Sequence, residues 1–503
     1  MFFTEMCKNH MRTVGPIDSL TIISEPLRDS FWKNLNPSEL FKSLAGRPDL
    51  AWLDSAQFDK AGNSWSYILL RPDKRFEVYR SKVLTFSNGS QPSVQKPLTA
   101  SQISRLLKPN YSTQSKHADA PPFCGGWVGY VGYDALRLNH NIAETGDAFP
   151  HMALNLFTSV LAYSHQQKCW WAGATTLSAT SEDQREYECR NRIKLLVEQI
   201  APMQDTTRTL YPAPQKRICV SNCKRSEYEQ KARRALEYIR SGDVYQINLA
   251  QRLRVPWESS PELLYLRLRQ ESPAKYGAFL GSGLVAAGKS ICSISPELYL
   301  QVNGREVLSR PIKGTRPRGI DSIADSSACK DLDNSSKERA ELNMIVDLVR
   351  NDLGRVCEYA SVSVLSAGEI EELPTLLHRV ATIKGRLKPG CSAASLLRAT
   401  FPGGSVTGAP KIRAMQIIDE LEASPRGPYC GAIGWLGLDG NMELSIAIRT
   451  ALCDASECCA YYHAGSGIVA DSSPQLEYEE TLHKAAAFFR ATNSVLSSEF
   501  RQG

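Results

Sequence analysis

The sequence predicts an α+β fold, and three observations carry that prediction. Its first part contains short segments rich in Trp, Tyr, Val and Ile, punctuated by Gly, Pro and Asn, which is the composition of strands and turns. Its later part alternates helical apolar spacing with strand-like runs, some close enough to be hairpins. No fixed-period repeat runs through the chain, which excludes a solenoid or propeller.

Residues 64–70, 125–133 and 152–163 are the first strand candidates. Residues 88–122 form a polar excursion broken by one short helix near Leu106, and residues 200–217, with Pro202, Pro212 and Pro214, form the best linker. This places a boundary between an N-terminal region at 1–210 and a second region at 218–496. A helix follows, started by a capping box of Ser226 and Glu229, with Tyr228, Ala232, Ala235, Leu236 and Ile239 on one face and Gly242 at its end. Strands are expected at 244–255, 278–284 and 293–302, then a long helix at 334–352. Further strands at 362–370, 431–438, 442–451 and 459–464 precede a last helix at 474–492 opened by Pro474.

Composition narrows the function. The 503 residues, 42% hydrophobic and 22% charged, can bury a sizeable core. A formal charge of +6 over this length, without a compact Lys/Arg run, argues against nucleic acid as a partner. No run approaches the roughly 18 apolar residues of a membrane span, and residues 1–22 lack a secretory apolar core. The 14 cysteines show neither a CxxC pair nor zinc spacing, and read as reduced thiols, with Cys458 and Cys459 within one strand. The expectation is a soluble cytoplasmic protein.

Several constellations could carry chemistry. Glu338 and Glu341 lie three apart on the long helix, and Glu477 and Glu480 lie three apart on the last, with Lys484 one turn later. Such pairs are commonly solvated helix faces; facing each other, they would suit magnesium, which needs only one or two carboxylates beside substrate oxygens. The stretch Phe401-Pro402-Gly403-Gly404-Ser405-Val406-Thr407-Gly408-Ala409-Pro410-Lys411 precedes a helical pattern, and is either a carboxylate cradle or a glycine-rich turn. It lacks the Lys-Ser/Thr that a nucleotide loop requires after its last Gly. Lys313 lies in the basic stretch Ser309 to Arg318. That stretch could be a plain exposed loop, or desolvation and nearby Arg310 and Arg316 could lower the amine's pKa and free its lone pair. Glu297, after Pro296, is a proton donor if buried, and His378 is either a core histidine or a site residue.

Taken together, Pro311-Ile312-Lys313-Gly314-Thr315, Met344 through Asp352, Phe401 through Lys411, and Gly465-Ser466-Gly467-Ile468-Val469-Ala470-Asp471-Ser472 resemble the chorismate-utilising enzyme family. The resemblance runs in order over residues 226–496 and is looser before the linker. It implies two stacked sheets in a β-sandwich core with helices outside, the N-terminal region belonging to the same body. It implies Mg2+ held by carboxylates matching Glu338, Glu341, Glu477 and Glu480, with Glu341 and Glu480 foremost. The carboxylates of chorismate would meet the Gly408 and Ala409 backbone, Tyr429, Arg449, Gly467 and Lys484, with His378 beside the ring and Thr315 and Gln246 facing the substrate. Glu297 matches the family's general acid.

The resemblance also divides the family. Lys313 stands where anthranilate-forming members carry Ala, and Gln246 stands where water-adding members carry a Lys base. This implies amination at C4 of chorismate, with Lys313 attacking C2 first. The chain has no Gly-x-Cys-x-Gly turn, and Phe123-Cys124-Gly125-Gly126 lacks the leading Gly, so a separate class I glutaminase subunit is implied as ammonia source. The rivals are an anthranilate-forming member and a catalytically silent chorismate-binding partner. Residues 51–56 resemble the segment lining a tryptophan pocket in relatives; Trp52 and Asp54 depart from that pattern, leaving Ser55 as the candidate pocket residue.

Overall fold

Strand alternation sorts the core into layers. In the strand Gly126–Val131, Trp127 points into one apolar cluster while Val128 and Tyr130 point into another; in Met152–Phe157, Leu154 and Leu156 join the first cluster and Ala153 and Phe157 the second. Both faces are buried, so these strands read as almost continuous apolar runs. The structure, a computed structural model, describes residues 20–56, 64–79, 82–87, 92–95, 119–135, 149–176, 181–200, 215–373 and 376–501.

The described strands form a 13-stranded and a 12-stranded sheet. The first runs Thr21–Leu27, Cys169–Thr176, Ser159–Ser164, Trp65–Leu69, Ala51–Asp54, Tyr276–Leu280, Lys289–Ser295, Thr450–Asp454, Cys459–Ile468, Gln246–Pro256, Arg217–Ser221, Ser494–Leu496, with Gly408–Ala409 added beside Gln246–Pro256. The second runs Ile312–Pro317, Leu376–Arg386, Glu306–Arg310, Leu298–Asn303, Met442–Ile446, Ala432–Gly437, Gly126–Val131, Met152–Phe157, Lys74–Val78, Val83–Ser87, Ser93–Gln95, with Ser363–Glu372 along Leu376–Arg386. Pairing is antiparallel except between Arg217–Ser221 and Ser494–Leu496. Strands from before residue 201 and after residue 214 mix within both sheets. Residues such as Leu53, Tyr67, Ala278, Val128 and Trp435 fill the layer between the sheets. Helices Glu182–Ile200, Pro261–Glu271 and Ala486–Thr492 cover the outside of the first sheet, and Ser336–Gly354 with Ala393–Thr400 covers the second. This is the α+β two-sheet architecture with outer helices.

Three expected single strands are instead corners at which the chain changes sheet. Residues 293–302 divide at Pro296-Glu297 into Lys289–Ser295 of the first sheet and Leu298–Asn303 of the second, because Pro296 has no N–H for a ladder. Residues 442–451 divide into Met442–Ile446 and Thr450–Asp454, with Arg449 at φ 51° in the turn. Residues 152–163 divide likewise into Met152–Phe157 and Ser159–Ser164.

Helix boundaries also shift. Ser335 caps Ser336–Gly354 by accepting from Glu338 N, after a separate helix Ser322–Asn334. The last expected helix is two, Pro474–Lys484 and Ala486–Thr492. The helix expected from Ser226 runs Arg225–Arg240; the reciprocal contact is Lys224 N donating to Glu227, and Ser226 is not its cap. Cys458 is exposed in a turn at φ 51°, and only Cys459 belongs to the strand. The strand Leu376–Arg386 and the helices Glu182–Ile200 and Pro261–Glu271 were not anticipated. The residue near Leu106 and most of the excursion, the linker and the N-terminal stretch lie outside the described residues. Among the described residues no helix is long and apolar enough to cross a membrane.

One buried ion pair ties the layers at the site. Arg426, 1% exposed, donates to Glu422 at 2.6 Å, to Val406 O at 2.8 Å and to Asn248 O at 2.6 Å, with its guanidinium 4.6 Å from the Tyr133 ring centre. Glu422 also accepts from Ala250 N at 2.9 Å. Arg426→Ala would leave a carboxylate buried without its cation, so we expect a loss of about 3–5 kcal/mol, measured as a lowered denaturant midpoint. Arg426→Lys should recover only part of it, because one ammonium cannot reproduce the planar fork.

Candidate active site

The site forms around a strip of bare backbone. Strand Gln246–Pro256 pairs with Cys459–Ile468, setting Asn248 opposite Gly467 and Ala250 opposite Gly465. A Cβ at Gly465 would fall 2.9 Å from Tyr429 Oη and 3.0 Å from Asn248 Nδ2; one at Gly467 would fall 2.8 Å from Gln246 Nε2 and 3.7 Å from Lys313 Nζ. At its start the same strand pairs with Gly408–Ala409. Gly408 has φ +153°, and a Cβ there would meet Gln246 O at 2.1 Å, so only glycine lets the two backbones approach. Gln246, Gly408, Ala409, Gly467, Tyr429 and Lys313 are thereby gathered.

Lys313 enters from the strand Ile312–Pro317, and its Nζ donates to Ser405 O at 3.4 Å. The side chain is half-buried by surface, yet its amine is packed densely enough that desolvation lowers its pKa. Glu341, Glu297 and Glu480 pull the value up, and Lys484 pushes it down. The cation that assists is therefore Lys484. Arg310 and Arg316 do not do this: Arg310 pairs with Glu371 at 3.5 Å, and Arg316 with Glu338 at 2.8 Å and Asp331 at 2.6 Å.

Glu297 is 5% exposed at its sheet corner. Burial pushes its carboxyl up to about 7, against the Ser405 hydrogen bond and the charge of Lys313, which favour the carboxylate. Ser405 Oγ donates to Glu297 Oε1 at 2.7 Å. A carboxyl and an amine of altered proton affinity thus share one serine.

The two acidic pairs face each other. Lys337 reaches from helix Ser336–Gly354 to Glu477 at 3.7 Å, and Glu341 is held above the usual carboxylate range by burial and by Glu480 and Glu477. Glu477 Oε1 accepts from Ser472 Oγ at 2.5 Å, whereas Glu477 Oε2 and Glu338 Oε2 are buried without a hydrogen-bond partner among the described residues. Glu480 is also penalised by burial, but Lys484 at 2.6 Å outweighs that and holds it below its usual range. Lys484 additionally donates to Gly465 O at 2.9 Å, so the Glu480–Lys484 pair is part of the site as well as of the helix face. Among the described residues no three His, Cys, Asp or Glu side chains form a closed metal-binding group. Orphaned carboxylate oxygens in an open, all-oxygen arrangement nonetheless fit a magnesium ion that takes its other ligands from water and substrate.

His378 lies opposite Thr315, and its Nδ1 is 2.9 Å from Thr315 Oγ1. Burial and the charge of Arg449 push its pKa down to about 4, against a backbone hydrogen bond with Gly314, and its buried Nε2 has no partner among the described residues, so the ring is held neutral. Tyr429 stacks on His463 with ring centres 5.0 Å apart. Ser55 lines a different space, a cavity of about 360 Å3 between the sheets that is also walled by Asp54, Lys275, Arg310, Trp435 and Glu443. Asp54 is not free there, since Arg269 binds it at 2.5 Å.

Sequence reasoning missed Ser405, Asn248 and Arg426. Asn248 follows Gln246 by two in a strand and so shares its face, a signal that was available. Ser405 lay within the glycine-rich stretch, without a feature to separate it. Arg426 gave no signal.

Known proteins are similar to this chain over most of its length. Residues 55–490 match the model of the chorismate binding enzyme family. Aminodeoxychorismate synthase component 1 of Escherichia coli (strain K12) is 36% identical over 457 residues, covering 90% of this chain and 95% of the relative. Anthranilate synthase component 1 of Thermus thermophilus is 36% identical over 470 residues, covering 93% and 97%. The crystal structure of anthranilate synthase component I from Streptococcus pneumoniae TIGR4 superposes with a TM-score of 0.68 at 29% identity, covering 90% of this chain and 96% of that one. With the family match running over residues 55–490, the chain belongs to the chorismate-binding enzyme family.

Proposed function

We propose that this chain aminates chorismate at C4, giving 4-amino-4-deoxychorismate and water, as component 1 of an aminodeoxychorismate synthase. Relatives named for the aminodeoxychorismate and anthranilate reactions stand at nearly equal identity, so overall likeness does not choose between them. The observation that carries the choice is the desolvated amine of Lys313 beside Gly467 and Gln246, linked through Ser405 to the carboxyl of Glu297.

In this mechanism neutral Lys313 forms a bond to C2, both ring double bonds shift in turn toward C4, and the C4–O bond breaks as Glu297 gives its proton to the departing hydroxyl. Ammonia then bonds to C4, both double bonds return, the C2–N bond breaks to free Lys313, and the new C4 ammonium can return a proton to Glu297. The enolpyruvyl group stays on the ring. Arg449, Lys484, Tyr429 and the Gly408–Ala409 backbone hold the substrate carboxylates, and His378, kept neutral, sits beside the ring with Thr315. Glu341 and Glu480, together with Glu338 and Glu477, would hold Mg2+, which when bound would offset the negative charge of a substrate carboxylate. Ammonia comes from a separate glutaminase subunit, in keeping with the "component 1" in the relatives' names.

Incubation with chorismate, Mg2+ and an ammonium salt is expected to give aminodeoxychorismate by mass; anthranilate with free pyruvate would overturn the proposal. Lys313→Ala should cut aminodeoxychorismate formation about 100-fold or more, or divert ammonia to C2. The acid must hold its proton, so turnover should fall as pH rises through about 7, and Glu297→Gln should lower it about 100-fold or more and abolish that limb. In Mg2+ titrations, Glu341→Gln and Glu480→Gln should each raise the half-activating concentration about tenfold or more; unchanged titrations would remove both from the metal site.

A further inference from the structure

Ser405 touches both reacting groups through different atoms. Its hydroxyl donates to Glu297 Oε1 at 2.7 Å, and its carbonyl accepts from Lys313 Nζ at 3.4 Å. The residue is 8% exposed and sits in the short 3-10 turn Gly404–Val406.

That turn is held on every side. Thr407 Oγ1 donates to Gly403 O at 3.0 Å, Arg426 donates to Val406 O at 2.8 Å, and Asn248 N donates to Thr407 O at 2.8 Å. A Cβ at Gly403 would strike Ile446 at 2.5 Å, and one at Gly404 would press on Leu348 at 3.2 Å. The backbone therefore cannot shift to follow either partner. With one carboxyl oxygen of Glu297 occupied by a fixed donor, the carboxyl plane is set and the acidic proton belongs on the other oxygen.

We propose that Ser405 is a positioning residue for the reaction: its hydroxyl orients Glu297 so that the second carboxyl oxygen presents the proton, and its carbonyl registers Lys313 against that acid. The proposal rests on Glu297 as the acid and Lys313 as the nucleophile. Facing Glu297 are Lys313 from one strand, Lys484 from the helix Pro474–Lys484, the buried thiol of Cys430, the backbone of Ile312, which also hydrogen-bonds the carboxyl, and Ser405. Of the side chains that hydrogen-bond Glu297, Ser405 can lose its donor without a change of charge.

The test compares the unsubstituted chain with Ser405→Ala and Ser405→Thr in steady-state assays from pH 5.5 to 9. Losing the donor removes a contact that favours the carboxylate, so in Ser405→Ala the alkaline limb of kcat/KM should move up by about one pH unit. Its kcat should fall about tenfold with KM within about twofold. Ser405→Thr, which keeps the hydroxyl, should keep the limb and most of kcat. An unmoved limb in Ser405→Ala, or equal impairment of both variants, overturns the proposal. If Ser405→Ala does not fold, Ser405→Cys, with its weak donor, takes its place and the same outcomes apply. The product released by the unsubstituted chain decides separately between aminodeoxychorismate and anthranilate, and the pH comparison can be made on either. No turnover at all overturns both this proposal and the reading beneath it.

Discussion

The site exists in space that two glycines leave empty. Side chains along a strand alternate between faces, so Gly465 and Gly467 clear one face of Cys459–Ile468 while the opposite face stays packed. Tyr429, Asn248, Gln246 and Lys313 close on that strip, each polar atom within 4 Å of where a methyl group would stand. The approach depends on the long antiparallel ladder with Gln246–Pro256, whose register runs from Ile247 opposite Ile468 to Pro256 opposite Cys459. A one-residue slip would turn Gln246 and Asn248 to the far face. Arg426 secures that register from below by binding Asn248 O and Val406 O together.

Electrostatics then follows from enclosure. Burial disfavours charge on both Lys313 and Glu297, and each lessens the other's penalty. The reactive arrangement is the neutral amine with the protonated carboxyl, and burial favours the uncharged form of both. Lys484 biases this by opposing a second positive charge on Lys313, while Glu480 holds Lys484 in place at 2.6 Å.

Local pattern revealed the ingredients of the site more fully than their arrangement. The i,i+3 spacing of Glu338 with Glu341 and of Glu477 with Glu480 marked both acidic helices, and the ordered motifs carried the two-sheet fold. Residues 293–302 and 442–451 looked like single strands because apolar alternation continues straight through a change of sheet. Their corners carry Glu297 and Arg449. The strand bearing His378 was invisible because two of the strands that define it, Glu306–Arg310 and Ile312–Pro317, lie far away in sequence. The basic stretch around Lys313 suggested that Arg310 and Arg316 depress its pKa, but both are drawn off by carboxylates from other elements. Spacing along a chain shows which charges are neighbours in sequence; only folding decides which of them remain uncompensated.

Lys313 occupies a place where chemistry can change while the fold does not. Ile312–Pro317 is the terminal strand of its sheet, paired along one side with Leu376–Arg386. Between Ile312 and Thr315 the register gains one residue against Val380 and His378, and Gly314 there has φ +88°, the conformation that a glycine-bearing bulge requires. A bulge at an edge re-aims a side chain without disturbing a second neighbour. Exchanging Lys313 for a small residue would therefore remove the amine from the site while leaving the ladders of both sheets as they are. Lys313 thus stands in a bulge at the edge of its sheet, where no residue is set opposite it in the ladder.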